Sequence, residues 1–501
     1  MRFAAFLISL AFSNFILAQP SSAVAPDTSP SVEGFWLGTL HAPSVTLRIQ
    51  LTITTEDGQL ACSLDSLDQD SFGLPCSNLN YSDKNFSFDI PVVKGHWNGR
   101  ISEDAKKLTG NWNQGGEAPL DFERQEKLQP PLAPPVVHYD QAMAPVNAAD
   151  MESVLRRDLE QALKEGDLAP ATSAGVAIGV FRKGVRRVFA YGAAKPDLIF
   201  EIGSITKTFT GLILAQMVQQ GQVRLDQPIR ELLPIGTVAK PEGPEITLLD
   251  LVTQHSGLPR MPDNFKPADP ANPYADYAVP DLYAYVAQHG VEKPADAGFL
   301  YSNIGVGLLG QALANRAGVT YAKLLRKEVT DPLGMNDTSI SLSESQEHRF
   351  IPGHLPNHQP AHAWDLNAFA GAGGVRSTAG DMLKYLEAQL HPEKINLSNS
   401  PNARTLPTAI IQSHKPQADA GPASKIAFAW MFNSKFAYWH NGATGGYSSI
   451  AFFNPDEDFA AIVLLNTAIS KRRTFEEMLA EHITERFMGR PAVSLGPVDE
   501  R

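Results

Sequence analysis

Two strand-like hairpins lie far apart in the sequence and constrain everything between them. The first, AGVAIGVFRKGVRRVFAYGAA at 174–194, is two apolar, β-branched runs joined at Lys183-Gly184. The second, SSIAFFNPDEDFAAIVLLN at 448–466, has the same make-up around a polar turn. Short runs of this composition bounded by turn residues read as strands. The long stretch between them reads mostly as helix and loop. Helical stretches flank the pair, Met151–Lys164 before it and Phe475–Phe487 after it. Strands kept at both ends of a region are best buried in one sheet closed by the two termini, with the middle forming a helical lobe. The expectation for 148–490 is therefore an α/β (α+β) domain, an antiparallel sheet flanked by helices.

The sequence ahead of this region has another rhythm. Over 32–124 the pattern is β: Val45, Leu47, Ile49, Leu51 and Ile53 alternate with Thr46, Arg48, Gln50 and Thr52, as in a strand with one buried face. Asp57-Gly58 marks a turn and Leu60 starts a return strand, and further strands fit Phe86–Ile90, Trp97–Ile101 and Leu108–Trp112. This predicts a small all-β accessory domain, a barrel or a sandwich. Trp36, Trp97 and Trp112 stand beside glycines; such a set can form a carbohydrate platform, but core packing is the expectation. Residues 125–147 are proline-rich and read as a semi-rigid linker. With 501 residues, two or three domains fit the length.

The start, MRFAAFLISLAFSNFILAQP, has an early arginine, an apolar run and Ala18 before Gln19, so 1–18 is expected to be a secretory signal peptide. No later stretch is long and apolar enough for a membrane span, which predicts a secreted or periplasmic protein without a transmembrane segment after cleavage. In such a compartment Cys62 and Cys76, the two cysteines, can pair or stay free. A net charge of −12 argues against a nucleic-acid partner. The oligomeric state is not legible.

Within EIGSITKTFTG at 201–211, Ser204 and Lys207 are three residues apart in a stretch, Ser204–Gln220, that reads as a helix. Positions i and i+3 share a helix face. A serine hydroxyl needs a base to become a nucleophile, and a lysine can be one where an apolar setting lowers its pKa. Ile202, Ile205 and Phe209 provide that setting. No other serine in the chain is followed by lysine at this spacing.

Two further pieces follow in order. FLYSNIGVGLLG at 299–310 holds Tyr301 and Asn303 before an apolar run that reads as a buried helix, and YWHNGATGGY at 438–447 holds His440-Asn441-Gly442. Together S-x-x-K, Y-x-N and H-x-G resemble the three signatures of the penicillin-recognising serine hydrolases. LVTQHSGLP at 251–259, DPLGMNDT at 331–338 and AGAGGVRSTAGDM at 370–382 resemble the class C β-lactamase and D-alanyl-D-alanine carboxypeptidase branch. The resemblance covers about 150–490. It implies Ser204 as the acylated nucleophile, with Lys207 and Tyr301 sharing the proton work, either of them the base. It implies Asn303 as a contact to the substrate amide, His440 and Gly442 on the strand lining the site, and an oxyanion hole from the N–H groups of Ser204 and Ala443. His440 stands where many relatives have lysine, so carboxylate-bearing substrates are expected to be held partly by its protonated form.

No serine has the G-x-S-x-G surroundings of an α/β-hydrolase. His354, His358 and His362 recur every four residues, but Pro356 and Pro360 bar the helix that would align them on a metal. His255 reads as a loop-packing residue. No metal or cofactor is expected. The resulting expectation is an exported serine hydrolase acting on a small-molecule or peptidoglycan-peptide substrate. A D-alanyl-D-alanine carboxypeptidase or endopeptidase leads, with a carboxylesterase or a non-catalytic penicillin-binding sensor as alternatives.

Overall fold

The computed structural model describes residues 30–496 apart from 43–44, 57, 69–70, 115, 131–136, 422 and 469–473. The leader at 1–18, Asp57 of the expected turn and the middle of the proline-rich segment lie outside the described residues.

The first unit is one antiparallel sheet of β1 (Gly34–Ala42), β2 (Val45–Glu56), β3 (Gln59–Ser66), β4 (Ser71–Pro75), β5 (Ser77–Ser82), β6 (Asn85–Ile90), β7 (Gly95–Ile101), β8 (Lys107–Asn113), β9 (Glu117–Pro119) and β10 (Phe122–Gln125). The spatial order is β4-β3-β2-β1-β10-β8-β7-β6-β5, with β9 on β8. The edge strands β4 and β5 are consecutive in the chain with only Cys76 between them, so the sheet must wrap until its edges approach. Cys76 is bonded to Cys62 of β3, which pins the junction of the two edge strands to the neighbouring strand. Leu47, Ile49, Leu51 and Ile53 face the core as the alternation predicts. Gln50 departs from it: it is buried, donating to Asp65 and accepting the N–H of Gln129.

Trp36 and Trp97 are fully buried and Trp112 nearly so. The indole N–H of Trp36 donates to Val32 O and that of Trp97 to Leu120 O, both at 2.8 Å. A Cβ on Gly95 would meet the Trp112 ring at 2.1 Å, and one on Gly99 or Gly110 would meet Trp97. Gly95, Gly99 and Gly110 thus make room for the rings of Trp97 and Trp112, and all three tryptophans belong to the core rather than to a surface platform.

The second unit begins with α1 (Met151–Asp158) and α2 (Glu160–Lys164), a break at Leu159 interrupting the single helix expected there. It continues through β11 (Gly175–Arg182), β12 (Val185–Gly192), β13 (Ile199–Glu201), α3 (Thr206–Gln219), α4 (Asn303–Ala317), β14 (Arg376–Thr378) and α5 (Ala379–Leu390). It ends with β15 (Ala418–Asp419), β16 (Lys425–Ile426), β17 (Met431–Asn433), β18 (Ala437–Ala443), β19 (Ser448–Asn454), β20 (Phe459–Leu465) and α6 (Phe475–Met488). The main sheet runs β12-β11-β20-β19-β18-β17-β16-β15, all antiparallel. β11 lies against β20, with Ile178 opposite Val463, so the two hairpins meet as expected.

Successive residues of these strands enter two different cores. Val176, Ile178, Val463 and Leu465 pack with α1 and α6, while Ala177, Phe181, Ile462 and Leu464 pack with α5 and the helical lobe. Burial on both faces is why the strands read as continuous apolar runs rather than as alternation.

The boundaries set for this domain need correction at both ends. Within the expected 125–147 linker, Tyr139 bridges Val493, the Asp140 N–H donates to Ala492 O, and Val146 is buried in the α1/α6 core. Arg486 of α6, itself buried, pairs with Asp140 and Asp158. Beyond 490, Ala492, Val493 and Leu495 are buried as well. Apolar burial and a shielded ion pair therefore carry the unit from about 137 to at least 495, where composition alone suggested a spacer. A protein beginning at Val137 should accordingly be more stable than one beginning at Ala148 by about 2–4 kcal/mol, from the apolar burial of Val146 and its neighbours and from the Asp140 partner of buried Arg486, which otherwise keeps only Asp158. Urea unfolding of the two checks this; equal midpoints would mean that the segment merely rests on the surface.

Candidate active site

Ser204 lies in a tight turn, Gly203–Ile205, that links β13 to α3. The α-helix proper starts at Thr206, two residues later than the sequence pattern suggests. Gly203 has φ +51°, and a Cβ there would stand 2.6 Å from the Ala443 N–H nitrogen. Glycine is required on both counts. Gly442 answers the same demand from the other side, since a Cβ on it would meet Ile202 O at 2.1 Å and Ser449 Oγ at 2.6 Å. Two glycines thus press β18 against the Ser204 turn. An oxygen between the N–H groups of Ser204 and Ala443 would there meet two backbone donors.

α3 is buried on nearly all sides, from Thr206 to Met217. The expected apolar face is therefore only part of its contact surface. Its buried hydroxyls are satisfied locally, Thr208 by Ile205 O and Thr210 by Gly371 O. Lys207 is 0% exposed. Its Nζ lies 3.0 Å from Ser204 Oγ, 2.9 Å from Asn303 Oδ1 and 2.7 Å from Ala372 O. Burial, and secondarily the charge of Arg260, push its pKa well below that of an ordinary lysine. As a neutral amine it has two N–H donors for Asn303 and Ala372 and one lone pair for the Ser204 hydroxyl. All three contacts then have a complementary partner.

Tyr301 and Asn303 are held by a loop. Ser302 caps α4 by accepting the Gly305 N–H, donates its hydroxyl to Pro259 O and its N–H to Gln254 Oε1. The Asn303 N–H donates to Arg260 O at 3.0 Å. The segment LVTQHSGLP therefore works as the clamp that fixes Y-S-N. His255 turns away into a loop-packing role, with Nδ1 on Thr253 O and its ring edge-on to Phe299. Burial raises the pKa of Tyr301 to about 12, and its ring centre lies 4.8 Å from Lys207 Nζ. It is a phenol at neutral pH.

His440 corrects the sequence reading. It sits on β18 near Tyr301 as expected, with ring centres 6.4 Å apart, but it is 4% exposed. Its Nδ1 is 2.6 Å from Asn441 O and so carries the proton, which leaves Nε2 as an acceptor. Burial, with Lys207 adding to it, lowers its pKa to about 3. A buried imidazole next to an amine is neutral and cannot hold a carboxylate by charge. His354, His358 and His362 lie elsewhere: His354 is buried against Asn466, and the other two are exposed.

Sequence reasoning brought together Ser204, Lys207, Tyr301, Asn303, His440, Gly442 and Ala443, and the fold gathers all seven. It missed Ala372, whose carbonyl takes the third Lys207 bond, because a backbone oxygen has no signature in the sequence. It missed Arg260, whose guanidinium carbon is 5.2 Å from the Tyr301 ring centre. It also missed Glu201, a buried carboxyl that accepts the Trp364 N–H and joins Arg376 where β13 pairs with β14.

The Beta-lactamase family model matches residues 157–485. Over 333 residues the chain is 26% identical to the D-alanyl-D-alanine-carboxypeptidase/endopeptidase AmpH of Escherichia coli (strain K12), covering 62% of this chain and 84% of that protein. A beta-lactamase of Pseudomonas fluorescens is 29% identical over 259 residues, 50% of this chain and 67% of its own. The solved structure of a class C beta-lactamase matches with a TM-score of 0.56 at 19% identity, covering 69% of this chain and 98% of that one.

Two outcomes follow from the geometry. Gly442→Ala should fold yet lose about 10²–10³ in kcat, since its Cβ must push β18 away from the Ser204 turn and remove one backbone donor. Near-native kcat in a folded variant would show that Ala443 is not such a donor. His440 should stay neutral above about pH 4, its pKa being about 3. The kcat/KM of a carboxylate-bearing substrate relative to a neutral ester should therefore be flat from about pH 5.5 to 8. A several-fold fall over that range would put a charge back on His440.

Proposed function

Since the chain belongs to the beta-lactamase family and is a serine hydrolase, we propose that it is an exported peptidase of the cell envelope that cleaves D-alanyl-D-alanine ends of peptidoglycan peptides through an acyl-enzyme on Ser204. The observation that carries the mechanism is Lys207, fully buried, with its amine fixed between Ser204, Asn303 and Ala372. The neutral amine takes the hydroxyl proton as Ser204 Oγ attacks the scissile carbonyl. The oxygen that gains charge is received by the N–H groups of Ser204 and Ala443. Tyr301, kept as a phenol, relays the proton from Lys207 to the departing amine, so the C–N bond breaks with the leaving group neutral. Water then adds to the acyl-enzyme with the same groups returning the proton to Ser204. Asn303 holds Lys207 through Oδ1 and turns one amide N–H to Met261 Sδ, which leaves the other N–H for the substrate carbonyl side.

Support for the peptide substrate comes from the name of the Escherichia coli relative, a D-alanyl-D-alanine-carboxypeptidase/endopeptidase. Export is supported by the expected leader and by the Cys62–Cys76 disulfide, which suits an oxidising compartment. Among the described residues no helix is long and apolar enough to cross a membrane. Esters and cephalosporins share the acyl-transfer step, so a D-alanyl-D-alanine peptide, an ester and a cephalosporin assayed side by side separate this reading from a carboxylesterase.

A labelled penicillin should add one adduct, mapped by mass spectrometry to the peptide containing Ser204 and absent in Ser204→Ala. Lys207→Ala should lose about 10²–10⁴ in acylation rate. Because the base must be unprotonated, wild-type kcat/KM for a neutral ester should rise with pH and level off well below the pH at which an ordinary lysine deprotonates. Lys207→Arg, which cannot give up its proton, should be inactive across that range. Ester turnover by Ser204→Ala at the wild-type rate would end this mechanism.

A further inference from the structure

We propose that Arg260 is the anion anchor of this site, taking the free carboxylate of a single residue on the leaving side of the scissile bond. This rests on the hydrolase reading above and narrows it to substrates that end one residue past the cut, the carboxypeptidase pattern.

Neither basic side chain inside the site can offer a charge to a carboxylate, since His440 is buried and neutral and Lys207 is enclosed and committed to Ser204. Arg260 is exposed, and its guanidinium lies 5.2 Å from the centre of the Tyr301 ring, with Lys207 Nζ 4.8 Å from the same centre. Among the described residues no carboxylate pairs with Arg260 and no hydrogen bond leaves its side chain, so the fork is open to a ligand. Its backbone, by contrast, is fixed. Arg260 O accepts the N–H groups of Asn303 and Ile304, so the side chain starts from the loop that sets Tyr301 and Asn303. Its charge is also felt inside the site, since it disfavours the protonated form of Lys207.

The length scale fits one residue. A residue spans at most about 3.6 Å, and a forked arginine–carboxylate pair adds hydrogen bonds of about 2.8 Å. The Arg260 guanidinium carbon and Lys207 Nζ lie 5.2 and 4.8 Å from the Tyr301 ring centre, so the fork stands within about 10 Å of the amine that contacts Ser204, the scale of one residue and its carboxylate pair. A longer leaving peptide carries its carboxylate past the fork.

The test compares an N-acylated D-alanyl-D-alanine peptide with its C-terminal amide. Both share one acyl half and one Lys207, so the ratio of their kcat/KM values cancels any effect of Arg260 on the base. The acid should be preferred by wild type. The ratio should fall about tenfold in Arg260→Gln, further in Arg260→Glu, and be largely kept in Arg260→Lys. A ratio within twofold of wild type in both Arg260→Gln and Arg260→Glu overturns the proposal, as does an equal loss on acid and amide. Should wild type cleave neither peptide, the peptide reading fails by itself. The anchor is then judged on acylation of Ser204 by benzylpenicillin and by its methyl ester, with the same two outcomes. Ester hydrolysis that survives Ser204→Ala would instead sink the hydrolase reading.

Discussion

One buried amine holds this site together. Lys207 has no contact with solvent, so each of its nitrogen's interactions must come from the protein. Ser204 lies one turn away, but Asn303 and Ala372 are 96 and 165 residues distant in sequence. Three separate segments must therefore reach their places before the amine can be enclosed. An unpaired amine in this core would be costly, so the condition for stability and the condition for chemistry coincide. The same enclosure disfavours the charged form of a side chain that is a cation in water.

The sheet supplies the frame for that enclosure. Because β11 and β20 are adjacent, the ends of the second unit are locked at its centre, and α1 and α6 cover one face while α5 and the helical lobe cover the other. β18, two strands from β20, is then fixed in height relative to α3. Gly203 and Gly442 let the backbone of that strand approach the Ser204 turn closely. Side chains there would separate the two donors that the turn and the strand share.

Charge is distributed differently from what residue types alone imply. A histidine on a site strand suggests a pH-tuned cation, yet depth in the fold makes His440 a neutral acceptor. An arginine following a proline in a loop suggests nothing, yet the loop's backbone bonds to Asn303 and Ile304 bring that side chain to Tyr301. Desolvation decides the first case and chain geometry the second.

The sequence by itself determined the fold class and pointed to seven residues that the fold brings together, because both are written in local pattern. The paired apolar hairpins demand a two-faced sheet, and Ser204, Lys207, Tyr301, Asn303 and the His440-Asn441-Gly442 run carry their chemistry in side-chain type and spacing. It also pointed to the buried role of Trp36, Trp97 and Trp112. It misjudged the charge of His440 and took the segment at 137–147 for a spacer. The third acceptor of Lys207 and the reach of Arg260 were beyond it. Those features depend on burial and on contacts across tens to hundreds of residues. A pKa is set by what surrounds a group, and a backbone carbonyl such as Ala372 acquires a role only when the chain folds it against a donor.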